Sequence, residues 1–183
     1  AVPGLKVFFP ATPYDAKGLM KAALRDPNPV LIYEIKELYR LKAIEEVLPT
    51  EDYIVPIGKA AIRRPGKDIT LITYGQNVYH CLEVATKLAE QGYEAEVLDL
   101  RTLVPLDEEA IVESVKRTNR VLVVNEAPKT CGFAGEVVAR VNELCFEHLD
   151  APALRVTRLD TPVPWVKPLE LFVLPSVEQI FET

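Results

Sequence analysis

Histidine, tryptophan, methionine and cysteine are all scarce in this chain. The two histidines, His80 and His148, lie far apart, and neither has the Ser, Cys or Asp neighbour that would make a nucleophile pair. The three cysteines, Cys81, Cys131 and Cys145, are an odd, widely spaced set without a CxxC pair or a Cys/His cluster. They read as reduced thiols, behaving as small buried hydrophobes in a reducing compartment. Positive charge is also short: 21 Lys and Arg against 27 Asp and Glu leave a net charge of −6. That balance argues against a nucleic-acid or anionic-membrane surface, since either partner wants a basic face. No apolar run reaches the roughly 18–20 residues that span a bilayer, and the first residues lack the charged and apolar regions of a signal peptide. Internal repeats, low-complexity segments and the glycine patterns GxGxxG and GxxxxGK[ST] are absent too.

What is present is ordinary globular material, 49% apolar and 26% charged. A length of 183 residues allows one large domain, or one domain plus a fragment. Val2 to Pro10 reads as a short strand closed by prolines. Thr12 then caps a helix, Pro13 suits its first turn, and Asp15 suits the positive end of its dipole. The helix runs to about Arg25 and stops at Asp26-Pro27-Asn28-Pro29, where two prolines forbid continuation. Val30 to Glu34 follows as a buried strand. A single strand–helix–strand unit cannot bury both faces of its strands, so these forty residues read as the end of a domain that begins elsewhere.

From Lys36 to Lys67 the period is lost, with short strands expected between Tyr53 and Ile62 around Pro56-Ile57-Gly58 and a turn at Arg63 to Asp68. Regularity then returns. Strands are expected at Ile69–Tyr74, Glu94–Leu100, Arg120–Asn125 and Ala153–Arg158. Helices are expected at Val78–Gln91, Leu106–Thr118, Gly132–Leu149 and Ser176–Phe181. Strands alternating with helices of this length predict an α/β fold with a mostly parallel sheet covered by helices, preceded by the end of a second α/β domain.

Several groups could carry chemistry. Tyr74-Gly75-Gln76-Asn77, after the first strand of the regular part, offers no recognisable nucleotide site. Gly132-Phe133-Ala134-Gly135 opens a helix whose free N–H groups could hold an anion, or else allows a neighbouring chain or helix to come close. Asn125-Glu126 lies at the C-terminal end of a central strand, where ligands gather in open α/β sheets; helix capping or salt bridging is the plainer reading of Glu126. At the end of the first helix, carbonyl oxygens without partners meet Asp26 and Asn28, an oxygen-rich setting for a hard cation or simply an Asx-type turn. Asp160-Thr161-Pro162-Val163-Pro164-Trp165 is a stiff loop carrying a carboxylate and the sole tryptophan, suited to protein contact unless Trp165 packs on its own domain.

These segments carry a resemblance. VPGLKVFFPATPYDAKGLMKAALRDPNPVLIYEIKELYR resembles the second half of the pyrimidine-binding domain in the β subunit of the thiamine-diphosphate-dependent 2-oxo acid dehydrogenase E1 component. LRTLVPLDEEAIVESVKRTNRVLVVNEA, CGFAGEVVARV and APALRVTRLDTPVPW are similar to that subunit's C-terminal domain, a type shared with transketolase. The resemblance implies residues 1–40 as the C-terminal part of the pyrimidine-binding domain, 41–67 as a linker and 68–183 as the transketolase C-terminal-like domain.

It also implies a function for the parent: decarboxylation of a small 2-oxo acid and transfer of the acyl group to E2 lipoamide by an α2β2 heterotetramer. The α subunit holds the diphosphate and Mg2+ of thiamine diphosphate, and the β subunit its aminopyrimidine. The β subunit's catalytic glutamate and histidine lie upstream of Val2 in the family pattern, so no catalytic or cofactor-binding residue is assigned here. The implied partners are an E1 α subunit, a second β subunit and the E2 acyltransferase, with Asp160 at the position that helps hold E2. The implied metal is a structural potassium ion (K+) at Ala23, Leu24, Asp26 and Asn28. Ala23 replaces a cysteine of some relatives, which loses nothing where the ligand is the backbone carbonyl. The expected compartment is cytoplasmic, or the mitochondrial matrix in a eukaryote.

Branched-chain, pyruvate and acetoin types all remain open as substrates. Two other readings stand beside this one. The first is a non-catalytic α/β domain used for subunit assembly. The second is a fragment of another thiamine enzyme, such as transketolase or a 1-deoxyxylulose-phosphate synthase-like protein.

Overall fold

The computed structural model describes residues 2–183. Its main body is a five-stranded sheet built from β3 (Ala61–Arg64), β4 (Ile69–Thr73), β5 (Ala95–Asp99), β7 (Val121–Pro128) and β8 (Leu154–Arg158), in the order β3-β5-β4-β7-β8. The last four are parallel, and β3 joins the edge antiparallel to β5. Helices α3 (Glu108–Thr118) and α4 (Phe133–Cys145) cover one face, over a core of Ile72, Leu98, Ile111, Val115, Val123, Val137 and Val141. Helices α2 (Asn77–Glu90) and α6 (Val177–Glu182) cover the other, over Leu71, Val97, Leu122, Val124 and Val156. With both faces covered, the central strands are near-continuous apolar runs, which is why they stand out in the sequence.

The first unit is β1 (Lys6–Phe8), α1 (Pro13–Arg25) and β2 (Val30–Ile32), with β1 and β2 parallel. Thr12 caps α1 by accepting a hydrogen bond from the Asp15 amide at 3.1 Å. Helix α1 ends at Asp26, whose N–H donates to the Ala23 carbonyl. A third strand, β6 (Thr102–Val104), comes from the loop after β5 and pairs antiparallel with β1. The main body therefore supplies the strand that the first unit lacks.

Several elements differ from expectation. Val30–Ile32 is an edge strand with Leu31 42% exposed, because β1 covers only one side of it. No strand forms between Tyr53 and Ala60, where Val55 packs instead under Phe8 and Leu19; β3 begins only at Ala61 and takes in Arg63 and Arg64, expected in the turn. The helix expected to reach Leu149 stops at Cys145 and continues as a 3-10 turn, Phe146–His148. A further helix, α5 (Lys167–Val173), follows the proline-rich loop.

Candidate functional site

In the order β5-β4-β7-β8 the chain leaves β4 toward β5 on one side and later reaches β7 on the other, so the switch point lies between the C-terminal ends of β4 and β7. Tyr74, Gly75, Asn125 and Glu126 stand there. The Asn125 amide nitrogen donates to the Tyr74 hydroxyl at 3.1 Å, and burial pushes that phenol up to about 12. Among the described residues the Asn125 Oδ1 atom is buried without a partner.

The crevice is filled by the first unit. Gly75 has φ +62°, and a methyl group there would meet Ile35 Cδ1 at 2.8 Å and Phe9 Cδ1 at 3.2 Å. Phe9 stacks on Tyr33 with ring centres 4.9 Å apart and meets Tyr74 at 5.0 Å; Tyr74 in turn meets Phe133 edge-on at 6.1 Å. This is an aromatic plug. The space that holds a nucleotide in other open α/β sheets joins two parts of one chain here.

Glu126 sits at the rim, half-buried, with its acid raised first by burial and then by Glu37 and Glu170, against the pull of Arg158. It makes no ion pair within 4.0 Å among the described residues, so the salt-bridge reading does not hold. Glu37 accepts from Gln76 at 2.9 Å and from Lys167 at 2.8 Å, tying the segment after β2 to the start of α2 and to α5.

The turn after α1 is more occupied than its sequence shows. The Asp26 carboxylate pairs with the Lys6 ammonium and accepts from the Asn28 backbone at 2.9 Å and the Asn28 side chain at 3.1 Å. The Lys6 contact, followed by the Asn28 amide, lowers this acid to about 2. The geometry is an Asx turn with a resident cation. Ala23 contributes its carbonyl to the helix end, and Leu24 is 80% exposed.

Asp160 accepts from the Thr130 amide at 2.9 Å and the Thr130 hydroxyl at 2.6 Å. Those bonds hold its acid below the usual carboxylate range and tie the loop after β8 to the loop after β7. Trp165 does not pack on its own domain; it stands fully exposed, near exposed Val166, Leu169, Leu171 and Phe172.

The remaining candidates are structural. A methyl group at Gly132 would collide with the Pro128 carbonyl oxygen, so this glycine lets the loop approach the end of β7. His80 is lowered chiefly by burial and lies 3.3 Å from Asn77 Oδ1. Cys81 and Cys145 are buried as expected, whereas Cys131 is exposed at φ +58°. Among the described residues no group of three or more His, Cys, Asp or Glu side chains could hold a metal, and no helix is long and apolar enough to cross a membrane.

One constellation escapes sequence reasoning. Asp15, read as a helix-dipole residue, is fully buried and paired with Arg63 and Arg101, and Arg63 also pairs with Asp99. These residues are far apart in sequence, so only the fold brings them together.

Comparison with known proteins agrees with this architecture. The family described as "Transketolase, C-terminal domain" matches residues 58–180, and "Transketolase, pyrimidine binding domain" matches residues 1–42. Three curated relatives are similar to this chain. The 2-oxoisovalerate dehydrogenase subunit beta of Bacillus subtilis is 46% identical over 97% of the chain and 54% of its own length. The pyruvate dehydrogenase E1 component subunit beta of Porphyra purpurea is 44% identical over 100% of the chain and 54% of its own length. The acetoin:2,6-dichlorophenolindophenol oxidoreductase subunit beta of Bacillus subtilis is 45% identical over 98% and 52%. The chain thus spans about half the length of the curated relatives it matches. A solved structure described as "Split gene transketolase, inactive beta4 tetramer" has a TM-score of 0.78 over 100% of this chain and 57% of its own, at 23% identity; that likeness concerns the fold.

Proposed function

The chain belongs to the transketolase C-terminal domain family, and from that premise we propose that it is part of the β subunit of a 2-oxo acid dehydrogenase E1 component. In this reading the parent works with an α subunit and thiamine diphosphate to decarboxylate a 2-oxo acid and pass the acyl group to E2 lipoamide. The observation that carries the reading is continuity: E1 β subunits match the chain from its pyrimidine-binding segment through its C-terminal domain, over 97–100% of its length.

Thiamine diphosphate, when bound, supplies the decarboxylation chemistry. The switch-point crevice of the main body does not fit it, because Phe9 and Ile35 press against Gly75 there. The cofactor and its Mg2+ belong, in this proposal, to the α subunit and to β-subunit residues other than these. The work of this chain is to hold the first unit rigidly on the main body and to present surfaces for assembly. The exposed Trp165, Leu169, Leu171 and Phe172 suit contact with an α subunit or a second β subunit.

At the turn after α1, a potassium ion would share Asp26 with Lys6, leaving main-chain oxygens of Ala23 and Leu24 and the Asn28 side chain as its other ligands. At Asp160, a basic domain of E2 would share a carboxylate that already anchors Thr130.

Co-expression with an E1 α subunit of the same family tests the assembly. The proposal expects one stable complex of α and β chains in sedimentation; an α subunit that remains separate while the β chain self-associates would support the assembly-domain reading instead. Substrate class rests on activity, because relatives of three substrate classes are 44–46% identical to this chain.

A further inference from the structure

Asp15 on α1, Arg63 on β3, Asp99 at the end of β5 and Arg101 just beyond it meet where the first unit rests on the five-stranded sheet. We propose that this four-residue network sets the register in which the first unit docks on the sheet, rather than the stability of the docked state.

Every strong group in it is used. Asp15 accepts from Arg101 at 3.1 Å through one oxygen and from Arg63 through the other. Asp99 accepts from Arg63 at 2.8 and 3.0 Å and from the Arg101 amide at 3.0 Å. The remaining Arg101 donors reach the carbonyls of Lys59 and Ala60, at 2.9 and 3.0 Å. Two carboxylates with 0% exposure thus balance two guanidiniums exposed by 21% and 13%. Among the described residues no other charged side chain pairs with these four, and Tyr79, on α2, turns its hydroxyl to the Ala11 carbonyl at 2.7 Å.

Such a network discriminates because it fails abruptly. A one-residue slip of α1 turns a side chain by about 100° around the helix. Asp15 would leave the junction, and Arg63 and Arg101 would keep one carboxylate between them. An uncompensated buried charge is costly, whereas the complete network roughly breaks even against its own desolvation. Wrong registers are therefore penalised more than the right one is rewarded, which is how specificity by exclusion works.

The backbone supports the same conclusion. Arg101 holds φ +55°, a conformation that suits glycine, and its carbonyl accepts from the Phe9 amide at 2.7 Å. From that conformation its side chain reaches Asp15 and the carbonyls of Lys59 and Ala60. The aromatic plug alone would not fix register, since stacked faces tolerate sliding and Tyr33 is 49% exposed.

The test is amide hydrogen exchange on the chain carrying Asp15→Leu, Arg63→Met, Asp99→Leu and Arg101→Met together. The proposal expects a melting temperature at or above that of the unmodified chain. It also expects amides of α1 to lose protection by roughly tenfold or more and to show more than one set of resonances. A variant with a single set of resonances and undiminished α1 protection would overturn the proposal, as would one whose melting temperature falls by the sum of the single changes.

Should the fourfold variant fail to fold, Asp15→Asn alone decides. A second set of α1 resonances, with β4 and β7 amides unchanged, supports the register role, and a single set overturns it. Equal loss of protection in all three elements overturns it as well.

Discussion

The two sheets of this chain begin from similar apolar strands and end in different surroundings. Every residue of β5 is buried, and so are four of the five residues of β4. In the three-stranded sheet β1 buries only Phe8 fully, and no residue of β2 is buried. The larger sheet is closed by helices on both faces that follow its own strands in sequence. The smaller one is completed by a strand, an aromatic plug and an ion-pair network contributed from elsewhere in the chain. Local sequence builds the first; long-range contact builds the second.

Core substitutions probe that contrast most strongly. Leu98→Ala in β5, where the side chain is 1% exposed, should cost about 2–5 kcal/mol in chemical denaturation. Leu31→Ala in β2 should stay within about 0.5 kcal/mol, as exposed positions do. Similar costs at the two sites would mean that the smaller sheet is as fully enclosed as the larger.

A second effect lies at the junction. Burial raises the Asp99 acid from 3.8 to about 6, despite Arg63 and the Arg101 amide, which pull it down. The folded state therefore binds an extra proton between those values. The Asp99 contribution to stability should fall as pH rises from about 4 to about 6 and stay flat above. Asp99→Asn should remove this slope from a series of denaturation curves; a slope that persists unchanged would assign the proton to another group.

Smaller effects are expected on the surface. Asp160→Asn should weaken capture of a basic E2 domain and flatten its salt dependence, while Thr130→Val, which leaves the carboxylate in place, should change capture less. Equal losses would make Asp160 a loop anchor only. At the turn after α1, potassium should raise the melting temperature more than a large organic cation does, and Asn28→Ala should abolish the difference. Lys6→Met, by removing the resident ammonium, should enlarge it. A melting temperature indifferent to the cation in all three proteins would leave the turn to Lys6 alone.

What the sequence made legible follows the same division. Thr12, Pro13 and the double-proline stop mark α1 because capping is local. The β-branched runs of β4 and β7 and the spacing of Val137, Val141 and Cys145 on α4 mark a core buried on both faces. Strand β6 was not legible: Thr102–Val104 has three residues, no period of its own, and a partner almost a hundred residues earlier. Helix α5 follows two prolines and buries only Val173, so it shows no apolar face. Asp15 looked like a dipole residue because its position in the first turn is visible in sequence, whereas Arg63 and Arg101 reach it only in the fold. At the turn Asp26 and Asn28 read as oxygen ligands in sequence, but the neighbour that occupies Asp26 is Lys6, twenty residues earlier.

The most direct measurement is carbon dioxide release by the β subunit containing this chain, mixed with an E1 α subunit of the same family and offered pyruvate and branched-chain 2-oxo acids in turn. The account predicts turnover on one substrate class that requires added thiamine diphosphate and Mg2+ and disappears when either subunit is omitted. A stable α–β complex, saturated with cofactor and inert toward every 2-oxo acid, would contradict it.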